Sequence, residues 1–256
     1  MDKDFKKVAV SVAKEAGKIL MSYYAKDIKV ELKKDTYDVV SIVTEVDIKS
    51  EKKIISILKE KFPNHGIYGE ESLGINMDSD YIWYIDPLDG TSNFTRHIPL
   101  FGVSIGLIYK GKPIVGVLYF PALNILLSAE DGKGCFVNNK LAKVSNRQLS
   151  ESLYYAGGKF KGEAQIKPQI FQKCGSVKVI DSSSYEFAQI AMGDAEIYYL
   201  TNVPHDVIAG VCIVREAGGK VTDGLGNQWL IDSENILATN GLIHEEIIND
   251  LKKDID

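Results

Sequence analysis

The run Tyr81-Ile82-Trp83-Tyr84-Ile85-Asp86-Pro87-Leu88-Asp89-Gly90-Thr91 decides how this chain is read. Its first residues are apolar and β-prone, which predicts a buried strand running straight into a turn. That turn presents two carboxylates, the Leu88 carbonyl and a Gly-Thr pair. Carboxylate and carbonyl oxygens suit a hard cation such as Mg²⁺, Gly90 lets backbone approach an anion closely, and Thr91 offers an amide N–H and a hydroxyl. Asp-Pro and Asp-Gly are also ordinary turn punctuation, so the block alone leaves both readings open.

Composition narrows the partners. With 256 residues, 45% of them hydrophobic, the chain has the length for one large domain or two small ones and can bury a substantial core. The formal charge of −5, without a basic run or aromatic-basic interleaving, argues against nucleic acid as the main ligand. An acidic protein that handles phosphate must borrow positive charge, which points to metal ions. The N-terminal stretch is amphipathic rather than continuously apolar, so neither a signal peptide nor a membrane span is expected, and the cytoplasm is the default compartment. Cys135, Cys174 and Cys212 are far apart and lack Cys-x-x-Cys spacing, and His65, His97 and His244 give no zinc spacing.

Hydrophobic steps of three and four from Phe5 to Tyr23 predict a long amphipathic first helix, and a second should begin near Thr44 and end at Pro63-Asn64. Residues 101–109, 113–120 and 125–129 read as a strand meander. Beyond Lys143 short apolar runs at 177–180, 197–200 and 236–239 alternate with helical patterns at 185–192, 207–217 and 243–251. The expectation is an α+β half over 1–142 and an α/β half over 143–256.

Around the central block stand Gly69-Glu70-Glu71-Ser72 upstream, then Asn93-Phe94, Gly132-Lys133-Gly134, His205-Asp206 and Arg215-Glu216-Ala217-Gly218-Gly219 downstream. Together these resemble the inositol monophosphatase family of magnesium-dependent, lithium-sensitive phosphatases, over nearly the whole chain. The resemblance implies a layered αβαβα sandwich of the inositol monophosphatase and fructose-1,6-bisphosphatase type, a site between the halves, and a homodimer. It places metal ligands at Glu70, Asp86, the Leu88 carbonyl, Asp89 and Asp206, for two or three Mg²⁺ ions. Asp47 and Thr91 become the water-activating pair, with Glu70 beside them. The amides of Gly90 and Thr91 fall where the family seats phosphate, and Ser182 and Ser183 fall in a region it uses at the substrate.

Residue chemistry supplies a plainer role for several of these. Asp47 lies three residues after Thr44, as in a capping box, and Asp206 precedes the helical pattern 207–217 as an N-cap would. The serine run at 182–184 is an ordinary helix start, and Lys33 and Lys34 read as solvated surface charges. The sequence also departs from the family. His205 replaces the usual Trp, Ile208 stands where a small residue is usual, and residues 38–43 do not keep the usual spacing. Inositol-using relatives carry a glutamate seven residues before the second-half Asp, where this chain has Tyr199. The expected function is therefore hydrolysis of small sugar or polyol phosphates. Same-fold alternatives act on fructose 1,6-bisphosphate, histidinol phosphate or a 3′-phosphonucleotide, and a non-catalytic metal- and phosphate-binding regulatory module is the remaining reading.

Overall fold

The structure, a computed structural model, describes residues 4–34, 40–72, 74–157, 159–160, 163–164, 166–201 and 207–252. Helix α1 (Phe5–Tyr23) starts at Asp4, whose carboxylate accepts the Lys7 N–H at 2.9 Å, and buries Ala9, Val12, Ala13, Ala16 and Leu20. Strands β1 (Val30–Lys34) and β2 (Val40–Thr44) pair antiparallel, which the polar composition nearby does not announce. Helix α2 (Glu45–Lys61) follows and stops at Phe62, ahead of Pro63.

Strands β3 (Gly66–Gly69), β4 (Tyr81–Asp89), β5 (Gly102–Tyr109), β6 (Lys112–Phe120), β7 (Ile125–Glu130), β8 (Cys135–Val137) and β9 (Lys140–Leu141) form one seven-stranded sheet in sequence order. Only β3 and β4 are parallel neighbours. A five-residue helix, α3 (Thr91–Thr95), leaves the end of β4. The continuous apolar run of β4 follows from its position. Ile82 and Tyr84 enter one core while Trp83 and Ile85 enter another, so both faces of the strand are covered.

The second sheet contains β10 (Leu153–Ala156), β13 (Ser176–Lys178), β14 (Ile197–Thr201), β15 (Lys220–Thr222) and β16 (Asn235–Thr239), in the order β13-β10-β14-β16-β15. A short pair, β11 (Lys159–Phe160) and β12 (Glu163–Ala164), stands apart from it. Helices α4 (Pro168–Phe171), α5 (Ser183–Met192), α6 (Val207–Glu216) and α7 (His244–Lys252) complete the chain.

Three buried clusters define the layers. One joins α1 and α2 to the outer face of the seven-stranded sheet. The second joins that sheet's inner face to α5, α6 and β14. The third packs Ile243, Ile247, Ile248 and Leu251 against Tyr154, Ile197, Tyr199 and Leu237 on the far face of the five-stranded sheet. The order helix, sheet, helix, sheet, helix is the αβαβα sandwich expected from sequence. Among the described residues no helix is long and apolar enough to cross a membrane.

Candidate active site

Parallel pairing of Gly69 with Ile85 places Glu70, just past the end of β3, beside Asp86 of β4. Asp86 pairs with Ser104 and Asp89 with Gly102, so three steps on β4 match two on β5. This is a bulge, and Pro87, which has no N–H to give a ladder, sits inside it. The bulge is closed locally, because the Leu88 N–H donates to Asp86 Oδ1 at 2.9 Å. The Leu88 side chain is buried, and its carbonyl accepts from the Thr91 hydroxyl at 3.0 Å. Gly90, at φ 79° and ψ 38°, makes the left-handed step into α3 that a residue with a side chain resists.

Asp47 is fully buried, closes the capping box read from sequence and also meets Thr91. Its Oδ2 accepts the Thr44 N–H at 2.9 Å and the Thr44 hydroxyl at 2.5 Å, closing the capping box. Its Oδ1 accepts from the Thr91 hydroxyl at 3.1 Å. Burial pushes the Asp47 carboxyl above the usual range, the Thr44 hydrogen bonds pull it back, and the Glu70 carboxylate adds to the rise.

Asp89 crosses between the two sheets' layers. Its Oδ2 accepts from the Ser182 hydroxyl at 2.7 Å, from the Ser184 N–H at 2.8 Å and from the Ser184 hydroxyl. Ser182 is the N-cap residue of α5 yet makes no side-chain cap bond, since its hydroxyl is committed to Asp89. Asn93 adds a second tie, donating to the Leu100 and Ile180 carbonyls at 2.8 and 2.9 Å. Burial raises the Asp89 carboxyl against these hydrogen bonds, and Glu70 raises it further. Glu186, also buried, is raised by burial and then by Asp89, while it accepts the Ile180 N–H at 3.3 Å.

Glu70 is exposed. Asp206 and His205 lie outside the described residues, as do 202–204. Among the described residues no group of three or more His, Cys, Asp or Glu is gathered closely enough to hold a metal ion. The donors that are described, carboxylates and the Leu88 carbonyl, are all oxygen, which fits Mg²⁺ and not a soft metal. Ser183 accepts from the Tyr198 hydroxyl at 2.9 Å. Tyr199 is not brought to this cluster: strand alternation turns it to the opposite face, into the core formed with α7. Ile208 is buried in the central core, against Gly106.

Other motif residues have structural work. Glu216 accepts the Gly132 and Gly134 N–H groups at 2.9 and 2.7 Å, which joins the two glycine motifs. The sequence reading missed Tyr198 and the pair Ser50 and Glu51. The last two had a signal, because they are polar positions on the buried stripe of α2 together with Val46, Ile54 and Leu58.

The bulged strand end that carries Asp86 and Asp89 thus lies beside a hydroxyl–carboxylate pair, Thr91 of α3 and Asp47 of α2. The chain belongs to the inositol monophosphatase family, whose model matches residues 1–256. It is 32% identical over 242 residues to a fructose-1,6-bisphosphatase/inositol-1-monophosphatase of Thermotoga maritima, covering 94% of this chain and 93% of that one. It is 35% identical to the Nus factor SuhB of Pasteurella multocida over 257 residues, covering 96% and 94%. The solved inositol monophosphatase of Anabaena superposes with a TM-score of 0.87 at 34% identity, over 97% of this chain and 95% of that one.

Proposed function

We propose that this protein is a Mg²⁺-dependent phosphomonoesterase that hydrolyses small sugar or polyol phosphates with an activated water. The observation that carries the reading is the Thr91 hydroxyl held between Asp47 Oδ1 at 3.1 Å and the Leu88 carbonyl at 3.0 Å, beside the bulge that carries Asp86 and Asp89. Glu70, Asp86, the Leu88 carbonyl, Asp89 and Asp206 would hold two or three Mg²⁺ ions. Bound there, the ions would neutralise phosphate oxygens, acidify water and stabilise the leaving alkoxide.

The chain's own residues do the rest. Thr91 has one hydroxyl proton and two acceptors, Asp47 and the Leu88 carbonyl. With the carbonyl engaged elsewhere, the proton goes to Asp47, and the lone pairs of Thr91 accept from the attacking water and aim it. The Gly90 and Thr91 amides bind the phosphate and Ser183 faces the alcohol, whereas Ser182, buried and donating to Asp89, holds that carboxylate instead of meeting the substrate. Cytoplasmic location, a homodimer and lithium inhibition complete this reading by family.

A second reading is favoured by the similarity to a protein named as a Nus factor, and makes the chain a metal- and phosphate-binding regulatory module. Phosphate release from a panel of phosphorylated metabolites, with and without Mg²⁺, tests both. Release from sugar or polyol monophosphates only with Mg²⁺ supports the enzyme, and no release from any ester supports the module.

A further inference from the structure

We propose that Glu51 is a positioning residue for the turn that carries Glu70, an inference that rests on reading Glu70 as a metal ligand. Asp47, Ser50 and Glu51 share the buried face of α2 at helical spacing, and each meets a different segment of the site. Asp47 reaches Thr91 at 3.1 Å, the Ser50 hydroxyl donates to the Pro87 carbonyl at 3.1 Å, and Glu51 Oε2 accepts the Glu71 N–H at 2.8 Å. One rigid helix thus sets the spacing of the Glu70 turn, the Asp86–Asp89 bulge and the start of α3.

Glu51 is only 3% exposed, and burying a carboxylate is costly unless it is hydrogen-bonded. Among the described residues no lysine or arginine forms an ion pair with it. Its carboxylate instead bonds the backbone after Glu70 and packs against the backbone before it. It takes the Glu71 N–H, and it lies so close to Gly69 that a Cβ there would stand 2.6 Å from Oε2. A charge-assisted bond of this kind is about twice as strong as a neutral one and holds a turn that otherwise ends in solvent.

The test is calorimetric Mg²⁺ binding to the substrate-free protein, together with kcat and the Mg²⁺ concentration for half-maximal rate. Glu51→Ala is expected to weaken Mg²⁺ binding about tenfold or more, the usual effect of removing a residue that orients a ligand, while kcat at saturating Mg²⁺ changes much less. Glu51→Gln keeps an acceptor for the Glu71 N–H and is expected to stay within about threefold of the wild type. Gly69→Ala drives a methyl into the Glu51 carboxylate and serves as the disrupting variant if Glu51→Ala does not fold. Wild-type Mg²⁺ affinity in the folded disrupting variant, or a Glu51→Gln defect as large as that of Glu51→Ala, overturns the proposal. Glu70→Gln separates the two layers of inference: unchanged Mg²⁺ affinity there overturns the metal-site reading itself.

Discussion

Thr91 and Asp47 are 44 residues apart in sequence and hydrogen-bonded in the structure, with Thr91 Oγ1 at 3.1 Å from Asp47 Oδ1. The same hydroxyl lies 3.0 Å from the Leu88 carbonyl, so two acceptors compete for its one proton. This joins a helix cap, a strand bulge and the first turn of α3 in a single local arrangement.

If that pair aims the water, its members act as a unit. Asp47→Asn and Thr91→Val should each lower kcat by about 10²–10⁴-fold, the range for loss of a positioned acid–base group. The double variant should be no worse than the weaker single variant by more than about tenfold, because the second change removes a partner already disabled. Steady-state rates at saturating Mg²⁺ in a double-mutant cycle measure this, and multiplicative losses would show the two residues acting separately.

Close packing of α6 on the seven-stranded sheet positions the start of the helix that Asp206 precedes. A Cβ on Gly116 would collide with the Ala209 carbonyl, and one on Gly106 would stand 2.8 Å from the Ala209 nitrogen. Backbone cannot yield as a side-chain tip can. Gly116→Ala should therefore cost about 1–3 kcal/mol, the usual penalty of overpacking a core. Urea unfolding would report it as a lower midpoint with an unchanged slope.

Much of this was legible in advance because the signals were local. The three- and four-residue periodicity predicted α1, the Thr44 and Asp47 spacing predicted the cap of α2, and the apolar run before Asp86 predicted β4. The meander at β5, β6 and β7 followed from short apolar runs about tight turns. What stayed hidden depends on tertiary approach. Ser182 reads as a helix cap and instead donates to Asp89, 93 residues away. Tyr199 stands where the resemblance implies a substrate contact, yet strand alternation gives Tyr198 the face toward Ser183. Glu51 occupies an ordinary position of a helical pattern in sequence, and only the fold brings the Glu71 backbone against it.

His244 gives the fold an acid-side weakness away from the site. The imidazole is fully buried, with Thr222 at 2.9 Å from Nε2 and Thr239 at 2.9 Å from Nδ1. Burial, with help from the Lys220 charge, pushes its pKa down to about 4. The unfolded chain takes up a proton below about 6.5, whereas the folded chain resists until about 4, so the unfolded state binds more protons in that window. Stability is fully present above the upper value and falls as pH drops through the window. Going from about pH 7 to about pH 5 should cost roughly 2 kcal/mol through this group. His244→Asn should flatten that slope in urea titrations, and identical slopes for the two proteins would contradict the assignment.

Substrate selectivity should be broad. The family resemblance implies a carboxylate anchor where Tyr199 stands, and here that side chain packs with Ile247 and Leu237 instead. A site lacking one polar anchor loses discrimination among polyols. The expected outcome is comparable kcat/KM on two or more sugar or polyol phosphates, fructose 1,6-bisphosphate among the candidates. A preference for inositol 1-phosphate of more than about a hundredfold over every other ester would show that another residue supplies the anchor.

The most direct test of the central claim is Mg²⁺-dependent phosphate release by the wild type and by Asp86→Asn. Asparagine can keep the Oδ1 acceptor that receives the Leu88 N–H at 2.9 Å, so the bulge is retained while one negative charge is removed. The expected result is no release without Mg²⁺, saturable activation as Mg²⁺ is added, and a loss of at least about a hundredfold in kcat/KM for a folded Asp86→Asn protein. Phosphate release by the wild type that ignores Mg²⁺, or wild-type kinetics in folded Asp86→Asn, would contradict it.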